Sequence, residues 1–211
     1  MCTGRVDLAF ILRALLNGAD GVFIGGCWPG ECHYVTEGNY DALALRHIAH
    51  KLLQRVGVDP GRVRLEWIAA SEGTRFAEVV NDFVGVLRGL GPLSVEENGL
   101  RGKLAAAARL VPYIRLVERE RLRPPERSEA VYNAFYASDE TDRLFDELIG
   151  DRLVTSEIAT LLEEGALSTA EIAGRLGLDP SAVSRQMNSA SRQGLVRYDL
   201  ERQRYALVGA E

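Results

Sequence analysis

All three cysteines of the chain, Cys2, Cys27 and Cys32, fall within its first 32 residues, and none follows in the rest of the 211. Cysteines serving only as small core hydrophobes would be scattered. The N-terminus lacks the charged, apolar and small-residue zones of a signal peptide, and three is an odd number, so a disulfide framework is not expected. The thiols are left as metal ligands, nucleophiles or buried groups, and the elements around them decide where they can meet.

Leu8, Ile11, Leu12, Leu15 and Leu16 recur at helical spacing over Val6–Asn17, and Gly18 closes that helix. Gly21 to Gly25 is a short, continuously apolar run that suits a buried parallel strand. A loop rich in Gly, Pro and polar residues follows to Gly38. Asn39 is placed to cap a helix to about Val56, Val63–Ile68 reads as a second strand, and Ser71 is placed to cap a helix over Arg75–Leu90. Helix, strand, helix, strand, helix implies a parallel sheet with covering helices. A strand expected before the first helix would have to end where Cys2 stands, which leaves a sheet edge for another polypeptide to cover.

The loop Gly26-Cys27-Trp28-Pro29-Gly30-Glu31-Cys32-His33-Tyr34 carries the sharpest local pattern. Two cysteines around a Pro-Gly turn can aim both thiolates at one centre, and glycines free backbone N–H groups to bond sulfur. The loop leaves the carboxyl end of one strand, and Cys2 would leave the carboxyl end of its neighbour, the edge of an open parallel sheet where sites are built. Three thiolates make an incomplete set for an iron–sulfur cluster, which takes four. The fourth ligand is expected from His33 or from a partner-chain cysteine. Zinc held by Cys2, Cys27, Cys32 and His33 satisfies the same count and stays open as an alternative. Trp28 could insulate a cluster and reads equally as a packing residue, His33 and Tyr34 have ordinary roles in fixing the loop, and Glu66, Trp67, Ser71 and Glu72, at the end of the second strand and the following turn, could line the same face as the cysteines, with Ser71 explained equally as a cap. A cysteine hydrolase is disfavoured, because Cys32 and His33 are adjacent in sequence and His47 and His50 lie on helix faces.

Beyond Gly91-Pro92 the composition turns to Arg, Glu and Ala, with helices expected over Leu104–Leu122 and Arg127–Leu148 as a connector. From Thr155 the pattern becomes a winged helix-turn-helix: helices over Ser156–Glu163, Ser168–Leu176 and Ser181–Gln193, then strands Val196–Asp199 and Arg204–Val208. Arg185, Arg192, Arg197, Arg202 and Arg204 sit on its third helix and wing. The net charge of −5 and the lack of a basic excess in 1–92, 93–150 or 151–211 argue against nucleic acid as the main partner, so a protein-docking winged helix is expected. No long apolar run is present, so no membrane span is expected and the chain is read as cytoplasmic.

Several ordered motifs together carry a resemblance: Cys2-Thr3-Gly4-Arg5, Gly18-Ala19-Asp20-Gly21-Val22, the Cys27–Tyr34 loop with Gly38-Asn39-Tyr40, Arg62–Trp67, and Ser71–Phe76. Over residues 2 to about 92 the chain resembles the delta subunit family of methyl-viologen-reducing hydrogenase. The resemblance implies a [2Fe–2S] cluster associated with Cys2, Cys27 and Cys32. It implies electron relay between a hydrogenase, formate dehydrogenase or other NAD(P)H- or ferredoxin-linked module and a heterodisulfide reductase A-like flavoprotein that carries FAD and iron–sulfur groups. Assemblies of the electron-bifurcating kind, such as class II benzoyl-CoA reductase, fit the same resemblance. Family members carry an upstream strand with a Cys-x-x-Cys pair that this sequence does not show. Either a partner flavoprotein supplies those groups, or the domain is kept for docking alone.

The expected fold class is α/β: an incomplete Rossmann- or flavodoxin-like parallel-sheet domain over 1–92, a helical connector over 93–150 and a winged helix over 151–211. The expected role is a non-catalytic electron-transfer subunit. The alternative is a metal- or redox-sensing transcription regulator.

Overall fold

The computed structural model describes residues 2–97 and 99–209. A 3-10 turn, Thr3–Arg5, leads into α1 (Leu8–Leu16), then β1 (Val22–Gly26), α2 (Gly38–Val56), β2 (Val63–Trp67) and α3 (Gly73–Leu90). β1 and β2 pair in parallel, with Val22 opposite Val63 and Gly26 opposite Trp67, so both carboxyl ends finish side by side. Ile24 points into the main core with α1 and α2, while Phe23 points the other way, toward Phe76 and Phe83 of α3. That second face is thinly covered. Of the apolar stripe expected on α3, Phe83 is buried and Phe76 stays about half exposed.

The middle of the chain departs from the expected pair of long helices. Helix formation over Leu104–Leu122 is split into α4 (Leu100–Arg109) and α5 (Val111–Arg121). Pro112 has no N–H for the carbonyl of Ala108, so the helix restarts with proline in its first turn. The second expected helix is likewise divided, into α6 (Glu129–Tyr136) and α7 (Asp139–Phe145), because the Ser138 hydroxyl accepts from the Thr141 amide and begins a new helix. A π-helical turn, Asp146–Gly150, then runs directly into α8 (Asp151–Leu162).

α8 opens the winged helix five residues earlier than its apolar period suggests. It is followed by α9 (Thr169–Leu176), α10 (Pro180–Arg192) and the antiparallel strands β3 (Val196–Asp199) and β4 (Arg204–Leu207). The turn chemistry matches the sequence: Ser168 and Glu171 form a reciprocal capping box on α9, and Asp179 accepts from the amides of Ser181 and Ala182 at the start of α10.

Two cores result. One runs from Leu8 to Leu153 and joins α1, α2, β1, β2 and the helices from α4 to α7; the other spans Ile158 to Val196. Leu153 and Ile158 both belong to α8, so a single helix serves both cores. No helix among the described residues is long and apolar enough to cross a membrane.

The two helical histidines are structural. His50 bonds the carbonyl of Val63 at 2.7 Å, and His47 bonds Asn133 of α6 at 2.9 Å while stacking on Tyr136 at 4.8 Å. Burial, followed by the neighbouring Arg46 guanidinium, pushes His47 down to about 4. The unfolded chain therefore takes a proton at His47 near pH 6.5 that the folded chain refuses until about pH 4, so neutral His47 stabilises the fold above pH 6.5 and that contribution fades below it. Chemical denaturation of the protein and of its His47→Gln variant should give a stability gap that is constant above pH 6.5 and shifts against the parent as pH falls toward 4. A gap independent of pH would refute the assignment.

Candidate functional site

The carboxyl ends of β1 and β2 carry the cysteine loop. Trp28-Pro29-Gly30-Glu31 closes as a β-turn, with the Glu31 amide donating to the Trp28 carbonyl at 3.0 Å and Gly30 at φ +90°. A positive φ at the third turn position is what glycine supplies after proline. The turn brings Cys32 back into the protein, where it is buried, while Cys27 and Cys2 are half-buried.

Cys2 reaches the same place from the other side. The Thr3 hydroxyl donates to the Gly25 carbonyl at 2.7 Å and holds the 3-10 turn against the end of β1. Gly4 then lies flat on the first residue of α2: a Cβ on Gly4 would stand 2.6 Å from the Gly38 carbonyl oxygen and 2.9 Å from its Cα. With the two backbones in contact, the sulfurs of Cys2 and Cys32 meet at 3.7 Å directly over Gly38. A Cβ on Gly38 would fall 2.5 Å from the Cys32 sulfur and 2.7 Å from that of Cys2.

The distance is informative. A disulfide would need about 2.05 Å. Two metal–thiolate bonds of about 2.3 Å meeting at a tetrahedral angle place their sulfurs about 3.8 Å apart. The 3.7 Å separation is that of two thiols in hydrogen-bonding contact and is also compatible with two ligands on one metal, and the pair sits at the N-terminal end of α2, where the helix dipole favours negative charge. Burial pushes the Cys2 thiol up, a backbone hydrogen bond from Gly4 works against that, and the neighbouring Cys32 sulfur raises it further.

Cys27 is held nearby by its backbone. Its carbonyl accepts from the Asn39 side chain at 2.6 Å. This corrects the capping role expected of Asn39: α2 begins two residues earlier, after Glu37, with no side-chain cap, and the buried amide fixes the loop instead. Ser71 is not a cap either, since α3 follows Glu72 without a side-chain cap bond. The Glu72 carboxylate accepts from the Ala69 amide and from the Trp28 indole, both at 2.7 Å, and those two bonds hold it below the usual carboxylate range. Arg75 stands 5.1 Å over the Trp28 ring, so Trp28 packs as a fixed wall of the loop.

His33 is exposed and meets Tyr34 edge to face at 5.2 Å. Among the described residues, no group of three or more His, Cys, Asp or Glu side chains is arranged to hold a metal ion. What is assembled is a pair, Cys2 with Cys32, drawn from opposite ends of the sequence window. The sequence grouped all three thiols at one centre, and of these the structure brings Cys2 and Cys32 into contact. Gly4 and Gly38, which create that contact, are silent in a single sequence except as glycines close to cysteines.

A family model described as methyl-viologen-reducing hydrogenase, delta subunit, matches residues 1–91. The iron-sulfur subunit of the F420-non-reducing hydrogenase of Archaeoglobus profundus is 56% identical over 95 residues, 45% of this chain and 69% of that protein. The chain belongs to the methyl-viologen-reducing hydrogenase delta subunit family. Another member, the iron-sulfur subunit of the vhc F420-non-reducing hydrogenase of Methanococcus voltae, is 45% identical over 98 residues, 46% of this chain and 67% of its own length. The same region is 45% identical over 96 residues to the A component of the ferredoxin/F(420)H(2)-dependent CoB-CoM heterodisulfide reductase of Methanosarcina acetivorans, of which it covers 12%. In that larger protein the delta-subunit sequence is one segment of a longer chain. A second family model, winged helix-turn-helix DNA-binding, matches residues 158–197.

The delta-subunit geometry has a direct chemical test. Mild diamide oxidation of the metal-free protein should link Cys2 to Cys32, as read by peptide mass mapping. A Cys27–Cys32 bridge as the main product would contradict the observed pairing.

Proposed function

We propose that the chain is an electron-transfer subunit whose first 92 residues hold a [2Fe–2S] cluster through Cys2, Cys27 and Cys32. The reading is carried by one observation, the two thiols 3.7 Å apart over Gly38. Their spacing and their place at a helix N-terminus suit a shared metal, and the names of the relatives, which are iron–sulfur subunits, supply the kind of metal centre. When bound, such a group takes up and releases one electron at a time.

The chain's own residues have defined tasks in this reading. Cys2 and Cys32, held at fixed separation by the Gly4–Gly38 contact, would supply two of the cluster's ligands. Cys27 supplies a third thiolate, with its backbone fixed by Asn39. Trp28, pinned by Glu72 and Arg75, limits water on one side. The remaining ligand comes from a cysteine of a heterodisulfide reductase A-like flavoprotein, and electrons pass between that partner and a hydrogenase, formate dehydrogenase or similar dehydrogenase module. A bifurcating assembly is compatible with that arrangement, and the chain performs no substrate chemistry. The winged helix over 151–211 docks a neighbouring subunit.

The test is iron and acid-labile sulfide content of the complex co-purified through this chain. Both should be present in near-equal amounts, and Cys32→Ser and Cys27→Ser should each remove about two irons and two sulfides per copy of this chain, the content of one [2Fe–2S] group, while the partner's own iron–sulfur groups remain. Zinc without sulfide would transfer the site to a structural metal, and full iron retention in Cys32→Ser would end the proposal.

A second reading is favoured by the winged-helix match and by Arg185, Arg192, Arg197 and Arg202, all exposed along α10 and the wing. There the cysteine site would bias a DNA-reading winged helix. That reading requires duplex affinity that falls steeply with salt, with the slope of log K against log salt reduced by about one for each of these arginines removed. Salt-insensitive or absent binding leaves protein docking as the role.

A further inference from the structure

Next to the cysteine site, and not part of it, is a cleft of about 650 Å³ between the turn after Cys2, the start of α1, the first half of α2 and the far end of α5. Its floor is apolar: Leu8, Ile48 and Ile114 are buried there, and Leu45 is half-buried. At the rim Phe10 is 57% exposed, with Arg13 over its ring.

The wall is charged. Arg123 pairs with Asp41 and, through its Nε at 3.5 Å, with Glu118, so that Glu118 Oε1 and Arg123 Nε are sequestered facing one another. Three further guanidiniums ring the opening. Arg115 is paired with Asp7 at 2.9 Å, but Arg5 and Arg119 are exposed with no acidic partner within salt-bridge distance among the described residues. In a chain of net charge −5 this is a locally basic opening over an apolar floor.

We propose that this cleft seats an acidic segment of a partner polypeptide, with Asp or Glu side chains against Arg5 and Arg119 and an apolar side chain against Ile48 and Ile114. Guanidinium forks match carboxylates bidentately, and the floor needs an apolar group that a free phosphate lacks. Gly4 lines the cleft two residues from Cys2, so an occupant here presses on the turn that positions the Cys2 sulfur. The choice of a polypeptide as occupant rests on the electron-transfer role proposed above.

The probe is a fluorescein-labelled peptide of alternating Glu and Leu, titrated with the full-length chain and followed by anisotropy. Binding should weaken between about 50 and 300 mM salt. It should weaken by about tenfold in the Arg5→Glu/Arg119→Glu variant and measurably in Phe10→Ser, yet stay unchanged in Arg88→Glu on the exposed face of α3. Both reversed arginines are exposed, and Arg5→Gln/Arg119→Gln with an unchanged thermal midpoint provides the same comparison should the reversal impair folding. Equal loss in Arg88→Glu, or no loss in either double variant, would overturn the proposal. So would complete displacement by pyrophosphate that itself binds through Arg5 and Arg119, since the site would then take a free anion. Iron and sulfide measured on the co-purified complex carrying the same variants keep a failure at this cleft distinct from a failure at the cysteines.

Discussion

Two glycine backbones in direct contact, Gly4 on Gly38, set the geometry of everything that follows at the functional end of this protein. Neither position has room for a Cβ, and the contact places Cys2 over the first turn of α2 within reach of Cys32. The thiol pair is thus positioned by main chain, which has fewer ways to relax than side chains. Around it the supporting bonds are also to backbone: Thr3 to the Gly25 carbonyl, Asn39 to the Cys27 carbonyl, and Glu72 to the Ala69 amide. A site built this way holds its two sulfurs close through the main chain alone.

Much of the architecture was legible in the sequence because it rests on local chemistry. The apolar run at Val22–Gly26, the glycine stop after Val56, the Pro29-Gly30 turn and the capping box at Ser168 each follow from what a few neighbouring residues can and cannot do. The winged helix was readable almost residue by residue for the same reason. The connector was harder. Ala-, Arg- and Glu-rich sequence reads as continuous helix, yet Pro112 lacks one amide hydrogen and Ser138 offers an alternative bond, and each turns one long helix into two.

The candidate site was legible in its ingredients and not in its pairing. Cys2, Cys27 and Cys32 stood out by clustering, and the loop's place at strand ends followed from the element order. The pair in contact is a property of how the chain closes over thirty residues, decided by Gly4 and Gly38, and sequence spacing carries no information about it. Asn39 illustrates the same limit. Its capping propensity is real, but its own side-chain amide is buried, and leaving that group unsatisfied would cost about 1–3 kcal/mol, so it takes the Cys27 carbonyl instead.

The helix shared by the two cores has a mechanical meaning. Leu153 packs in one core and Ile158 in the other, barely more than a turn apart, and a π-helical turn feeds the helix from the side of the first. Ser156 bonds the Ala106 carbonyl of α4, and Arg109 of α4 grips Glu163 with both terminal nitrogens. The junction is therefore a girder rather than a joint: it cannot swivel without tearing apolar contacts on one side or the other. Whatever grasps the wing at the far end pulls, through one unbroken rod, on the helices that brace the thiols.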